Sequence, residues 1–387
     1  MTARKVSHKS MRCSNVKLVL DVIRKSGSIS RAEISRITGI TKSTVSEIIS
    51  FLQEKNIIID VGIESSSKYG RKGILVDINS SEFLVVGYDI GTIWSRIVIT
   101  DLNGEILRRK RFKTSEERLI DQIKDNVRDI SSGLWEKIIG LGFSVPGMVD
   151  YKKGVIIHSP NLDLVNYPFI NKVKKLFPGK KVLLDHNLKM MLLAEVEHGS
   201  GKGHKNVLVL NIGPGIGSAF TVDGKVARGT HNFSGEIGHI TVDPNGDKCS
   251  CGKIGCLETV SSAWGIVRRY NSMSKDKVEG RFNSEEVAKR AKEGDNIAIK
   301  TFEDAGYYLG VVVAGEVNTV DPEIIIISGG LSNTWDLMEK SFIKAFESNV
   351  IRALKGKVKF ALSKLGEYST ALGVATLTIE DFFNNVC

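Results

Sequence analysis

No stretch of this 387-residue chain stays apolar for anything near the roughly 20 residues that a membrane-crossing helix needs. The first residues, MTARKVSHKSMRCSN, are basic and polar and lack the apolar centre of a secretory signal. These absences exclude a membrane partner and predict a cytoplasmic protein. Cysteine is scarce: Cys13, Cys249, Cys251, Cys256 and Cys387 are all there is, and three of the five fall within eight residues. A cluster of that kind points to metal ligation rather than to a disulfide framework. An excess of one charge is also nearly missing beyond residue 80, where 40 Lys and Arg face 37 Asp and Glu.

What is present begins with the opposite imbalance. Residues 1–80 carry 14 Lys and Arg against 7 Asp and Glu. A basic segment on a nearly neutral body predicts a polyanionic partner for that segment, although a solvated basic surface would have the same charge. The composition, 42% apolar and 25% charged, is that of a globular protein, and the length suits two or three domains.

Three helical patterns occupy the basic segment. Val16, Val19, Leu20 and Ile23 form an amphipathic stripe that Gly27 breaks. Ser30 and Glu33 have capping-box spacing at the head of a short helix, which carries Ile34 and Ile37 inward and ends at Gly39. A third helix starts near Thr41, with Val45, Ile48, Ile49 and Leu52 as its apolar stripe. Its leading residues Thr41, Lys42, Ser43, Thr44 and Ser46 are small, polar or basic, suited to phosphates and base edges in a major groove. The strand-like runs 57–61 and 74–78 flank a polar loop in which Arg71 and Lys72 form a basic tip, the expected wing. A generic helical bundle would share the stripes, but not the polar reader helix with a basic wing.

From Phe83 onward, buried strands alternate with helices, which predicts an α/β fold with ligand groups at strand ends. One strand ends in Asp89-Ile-Gly91-Thr92, where an acid at a strand tip could hold a metal–phosphate, though most such turns do nothing of the kind. Strand 207–212 runs into Gly213-Pro214-Gly215-Ile216-Gly217, and strand 324–327 into Ser328-Gly329-Gly330. Glycine loops in those places could cradle phosphate with their amides. Between them lie Gly235-Glu236-Ile237-Gly238-His239 and Cys249-Ser-Cys251-Gly-Lys-Ile-Gly-Cys256-Leu-Glu258. One imidazole and three thiolates suit a closed tetrahedral zinc site with no position left for a catalytic water, hence a structural zinc. Cysteines serving only as apolar filler are the alternative.

At these residues the chain resembles the ROK family of repressors, open reading frames and sugar kinases. GEIGH followed by CSCGKIGCLE is the specific part; PGMVD, PNL, GPGIG and SGG support it, and the likeness covers nearly the whole chain. The resemblance implies an actin-like, hexokinase-like two-lobed domain behind the winged helix-turn-helix. The expected divisions are 1–80 for the DNA-binding domain, 81–185 with the C-terminal helix 368–387 for the first lobe, and 186–367 for the second lobe. It also implies a sugar site built from Asn161, Asn187, Glu236, His239 and Glu258, with His239, Cys249, Cys251 and Cys256 on zinc.

The departures from the family pattern concern catalysis. Family kinases carry Glu-Asn-Asp-Ala-Asn, whose Asp is the general base. Here the ungapped match reads Asp185-His186-Asn187-Leu188-Lys189, so an amide stands at the base position. General-base help is worth about 10²–10⁴ in rate; Asp185 or His186 would have to supply it under another register. Asp-x-Gly-Gly-Thr becomes Asp89-Ile-Gly91-Thr92-Ile93, and Gly-Thr-Gly becomes Gly213-Pro214-Gly215, losing hydroxyls and one amide donor. The sequence therefore predicts a sugar-responsive repressor of carbohydrate-metabolism genes, binding a two-fold operator as a homodimer or homotetramer. The alternative is an ATP- and magnesium-dependent hexose or N-acetylhexosamine kinase. A sugar-binding module with neither DNA nor ATP function is a third reading.

Overall fold

The structure, a computed structural model, describes residues 8–63 and 73–387, with side chains from residue 11 onward. The expected wing tip, Arg71 and Lys72, lies outside the described residues. The N-terminal module comprises helix α1 (His8–Ser26), strand β1 (Ile29–Ser30), α2 (Arg31–Thr38), α3 (Lys42–Glu54), β2 (Ile58–Ile63) and β3 (Ile74–Ile78). The three strands pair in the order β1-β3-β2, giving a winged helix-turn-helix. Val16, Val19, Leu20, Ile23, Ile34, Val45, Ile49 and Leu52 meet in its core.

Two expectations for α2 need correction. Ile37 is 50% exposed, because three residues along a helix of 3.6 per turn place it well off the line of buried Ile34. The capping box is half formed: the Glu33 amide donates to Ser30 Oγ at 3.4 Å, but the Glu33 carboxylate accepts from Arg36 Nε at 2.8 Å instead of turning back.

The first lobe contains β4 (Leu84–Asp89), β5 (Trp94–Thr100), β6 (Ile106–Lys113), α4 (Leu119–Ile130) and β7 (Ile138–Val145). It continues with β8 (Met148–Asp150), β9 (Val155–Ser159), β10 (Leu164–Tyr167), α5 (Phe169–Leu176) and β11 (Lys181–His186). Its five strands run in the order β11-β7-β4-β5-β6, while β8, β9 and β10 form a small antiparallel sheet. Helix α6 (Asn187–His198) leads to the second lobe: β12 (Val207–Ile212), β13 (Ile216–Val222), β14 (Lys225–Val226), α7 (Glu258–Ser261), α8 (Ala263–Met273) and α9 (Ser284–Lys292). Then follow α10 (Asn296–Val320), β15 (Ile324–Ser328), α11 (Glu339–Asn349), β16 (Lys359–Leu362) and the closing helix α12 (Ser369–Asn384). The second sheet has the order β14-β13-β12-β15-β16. Both lobes are thus wound alike, with antiparallel hairpin strands followed by parallel additions to the first strand.

Period-two burial decides what covers each sheet. Leu84, Val86 and Tyr88 of β4 face α4 and α5, whereas Val85 joins a cluster with α12 and the winged-helix core. Gly87 lets α12 in, since a Cβ there would stand 2.0 Å from Ala371 O. In β12, Leu208, Leu210 and Ile212 pack toward α10 and α11, and Val207 and Val209 toward Leu192 of α6. Helices α6 and α12 cross where Gly373 leaves room for the Met190 carbonyl, 1.7 Å from where its Cβ would be. The C-terminal ends of β4, β7, β11, β12 and β15, where open α/β sheets take ligands, mark the candidate cleft.

Candidate effector site and DNA-binding surface

Chain geometry around the metal motif is tight. The glycines Gly252 and Gly255 adopt φ +92° and +70°, a region closed to most side chains. At Gly255 a Cβ would also meet Asp243 O at 1.5 Å. The donor atoms of His239, Cys249, Cys251 and Cys256 all lie within 4.8 Å of one another. His239 Nδ1 is 3.6 Å from Cys249 Sγ, and Cys251 Sγ is 3.7 Å from Cys256 Sγ. Zinc–nitrogen and zinc–sulfur bonds at tetrahedral angles put N and S about 3.6 Å apart and two sulfurs about 3.8 Å apart. The four donors fit a zinc ion.

Beside this knot, Glu236 and Glu258 converge. The Ile216 amide donates to Glu258 Oε2 at 3.2 Å, and Gly215 is bare where a Cβ would meet that oxygen at 2.8 Å. Glu236 is exposed at the cleft, and its pKa is raised by the crowding protein and by Glu258, against the pull of His239 and Lys189. Asn187 is the first residue of α6, capped by His186, and its Oδ1 accepts from the Leu188 amide at 2.8 Å. Asn161 is exposed on a short 3-10 turn after β9, on the first-lobe side. No hydrogen bond among the described residues joins it to Glu236 or Glu258.

At the tip of β11, Asp185 and its neighbours form a polar network centred on Arg228, a residue that no motif announces. Arg228 donates to both Asp185 oxygens, at 2.8 and 2.6 Å, and lies 4.2 Å from the Tyr151 ring centre. It also reaches Asn232 Oδ1 at 3.3 Å, and Asn232 Nδ2 donates across to Val149 O of β8 at 3.1 Å. Lys189, 1% exposed, donates to Asn232 O at 2.8 Å. Burial pushes its ammonium below the ordinary value. His186 Nδ1 accepts from the Leu188 amide, and burial, with Lys189 and Arg228 nearby, pushes its pKa down to about 3. The run Asp185-His186-Asn187-Leu188-Lys189 drew attention to one half of this network as candidate bases, whereas Arg228, Asn232 and Tyr151 gave no sequence signal.

On the phosphate-type side, Asp89 is buried. Ser144 Oγ donates to it at 3.0 Å and Arg96 stands 3.9 Å away. Burial raises its pKa to about 6, against Arg96 and Ser144. Gly91 and Thr92 form the turn after it, and the Gly91 carbonyl accepts from Thr114 Oγ1 at 2.8 Å. Gly213 bridges to Gly215 O at 3.0 Å across Pro214, and its Cβ position is 3.7 Å from Gly330 N, so the two glycine loops adjoin. Gly329 adopts φ +93° over Ile212 O. Gly217 makes room for Leu188 Cδ1, 2.4 Å from its Cβ position, and so serves packing.

The reader helix begins with an exposed hydroxyl cluster. Thr41 Oγ1 lies 3.1 Å from Ser43 Oγ and 3.0 Å from Thr44 Oγ1, and it accepts from the Thr44 amide at 3.4 Å. Lys42 projects from the first turn and is exposed, and Ser46 is half-buried. A helix N-terminus carrying hydroxyls and a lysine offers donors to a phosphate.

A two-lobed α/β body with this metal motif, behind a winged helix-turn-helix, defines the class, and comparison with known proteins gives the family. The ROK family pattern matches residues 85–381, and a winged helix-turn-helix DNA-binding pattern matches residues 15–59. The chain belongs to the ROK family, among its transcriptional regulators with an N-terminal winged helix-turn-helix. A xylose repressor of Bacillus spizizenii is 28% identical over 96% of both chains. A glucokinase of Halalkalibacterium halodurans is 30% identical, covering 74% of this chain and 92% of its own. The crystal structure of a ROK family transcriptional regulator, a homolog of the E. coli MLC protein, superposes with a TM-score of 0.83 at 21% identity, over 97% of this chain and 98% of the other. Among the described residues no helix is long and apolar enough to cross a membrane.

Proposed function

We propose that this ROK-family regulator is a sugar-responsive repressor of carbohydrate-metabolism genes whose body no longer transfers phosphate. The observation that carries the reading is the state of the base position. Asn187 has no acid to offer, both Asp185 oxygens are taken by Arg228, and His186 is too weak a base at about 3. Glu236 and Glu258, by contrast, remain beside the metal knot, where they could accept sugar hydroxyls. Zinc on His239, Cys249, Cys251 and Cys256 would fix the loop from which both acids project. The full-length likeness to a xylose repressor supports the same assignment.

The structure offers a route from cleft to DNA head. Helix α6 starts at Asn187 in the cleft and ends at His198, whose Nε2 lies 2.9 Å from Thr376 Oγ1 on α12. Alongside, burial raises Glu380 of α12 to about 7, helped by Glu197 and opposed by Arg24 of α1. A sugar that repositions α6 therefore shifts the surface on which the winged helix is seated. A kinase reading is favoured by the 30% identity to a glucokinase, and it predicts ATP turnover with one sugar. The deciding experiment is fluorescence anisotropy on DNA upstream of the gene, titrated with sugars and followed by a coupled ATP assay. Sequence-specific binding altered by one sugar, without turnover, is expected; turnover, or sequence-indifferent binding, would overturn the proposal.

A further inference from the structure

We propose that Cys13 and Cys387 form a peroxide-responsive disulfide that ties the DNA head to the body. Of the five cysteines, Cys249, Cys251 and Cys256 belong to the metal knot. The two that remain are far apart in sequence, yet they stand on opposite sides of one junction. Cys13 is half-buried in α1 of the winged helix, and Cys387 is exposed just after α12 of the body. The Cys387 thiol lies within hydrogen-bonding reach of the Cys13 thiol, with Arg12 and Lys17 of α1 nearby.

The packing of the two helices places these residues together independently. Val16, one turn along from Cys13, and Val386, next to Cys387, are buried in one apolar cluster with Ile379 and Phe383 of α12. Further along α1, the Arg24 guanidinium stands 4.7 Å from the Phe383 ring centre. The helices therefore run antiparallel, and the start of α1 meets the segment after α12. That segment is fastened: the Asn385 amide donates to Phe382 O at 3.0 Å, and its side chain donates to Asp381 O at 2.7 Å. Among the described residues, no acid or imidazole joins these two thiols in a group that could hold a metal. Neighbouring thiols with one member open to solvent are suited to reversible oxidation.

The step balances with hydrogen peroxide as the oxidant. The Cys13 sulfur attacks peroxide and breaks its O–O bond, giving a sulfenic acid and one water. The Cys387 sulfur then displaces the sulfenic hydroxyl, which leaves with the Cys387 proton as a second water while the S–S bond forms. Desolvation, with Cys13 adding to it, pushes Cys387 up to about 11 and keeps it a thiol, which suits the second role rather than the first. The bond would freeze the seating of α1 on α12. Its effect on the sugar response rests on the function proposed above; its formation does not.

The full-length, zinc-loaded protein is treated with a small excess of hydrogen peroxide, its remaining thiols are blocked with iodoacetamide, and its peptides are mapped by mass spectrometry. The expected product is one cross-linked pair, Cys13 with Cys387, lighter by two hydrogens than the separate peptides. Zinc should be retained, the chain should stay single on a non-reducing gel, and dithiothreitol should reverse the link. Cys13→Ser and Cys387→Ser should each abolish it, and the wild-type map decides even if a variant fails to fold. Sulfinic acids or unmodified thiols at both positions, or a bond between two chains, would overturn the proposal. In operator binding, the oxidised wild type should need about tenfold more effector sugar for the same shift, and peroxide-treated Cys387→Ser no more than before treatment. An unchanged response with the bond formed would overturn the effect on regulation. A reduced protein indifferent to every sugar would overturn the sugar reading and leave the disulfide standing.

Discussion

The two sheets are wound in the same order, yet the acids on the turn and helix beside the metal knot, the sugar-type side, and the acid at the tip of β4, on the phosphate-type side, have gone opposite ways. On the sugar side Glu236 and Glu258 lie beside the knot of four metal donors, Glu236 exposed and Glu258 half-buried with one oxygen on the Ile216 amide. On the phosphate side Asp89 is buried under Ser144 and Arg96, Pro214 removes an amide, and Gly217 receives Leu188. The difference teaches that a strand-end loop stays available to a ligand when something rigid supports it from outside the cleft. Without that support, polar groups find partners inside the protein.

Four experiments sharpen or break the comparison. The largest effect is expected from removing the support: Cys251→Ser, or chelation, should abolish sugar binding and cost several kcal/mol. Loss of bound zinc by elemental analysis, together with a melting temperature lower by roughly 6–12 °C, checks this. Unchanged sugar binding without metal would separate the knot from the site.

Next, Arg228→Ala strands the buried Asp185 carboxylate and should destabilise by about 3–5 kcal/mol in denaturant unfolding. Adding Asp185→Asn should recover most of that loss, because no uncompensated charge then remains. Equal instability of the single and double variants would mean that packing against Tyr151, not charge, matters there.

The phosphate side carries the third test. Asp89 has a pKa raised to about 6 in the folded protein. Between its unfolded value near 4 and that figure the native state binds more protons, so stability falls as pH rises through this window. Asp89→Asn should therefore stabilise the protein by about 1–3 kcal/mol at pH 8, with the gain vanishing below pH 4. Melting curves across pH read it, and a variant less stable at pH 8 would show that the ionised acid is used.

The smallest effect belongs to the DNA head. Lys42→Ala should weaken operator binding a few-fold and lower the slope of log affinity against log salt by about one. An unchanged slope would take Lys42 off the phosphate backbone.

Local pattern made much of this legible in the sequence. The stripe Val45, Ile48, Ile49 and Leu52 gave α3, and β12 and β3 occupy the predicted 207–212 and 74–78. Four metal ligands within 18 residues were visible because soft donors so spaced have few other uses. What stayed hidden depends on contacts distant in sequence. Arg228 and Asp185 are 43 residues apart, and no periodicity links them. The shared winding of the lobes lies in strand order, which no motif records. Ile37 shows the limit of periodicity itself, since one step of three residues in a short helix left it exposed.

Under the proposed function, the sugar side of the cleft commands the DNA head without chemistry on the phosphate side. The most direct test of this compares operator affinity, with and without the effector sugar, for the wild type and for Glu236→Gln. Both proteins are expected to bind the sugar-free operator alike and to hold the same zinc. Wild-type affinity should then shift with sugar, while the variant needs about 10–100-fold more sugar for the same shift, as expected for loss of a charged hydrogen-bond acceptor. A variant that responds like the wild type, or a wild type indifferent to every sugar, would contradict it.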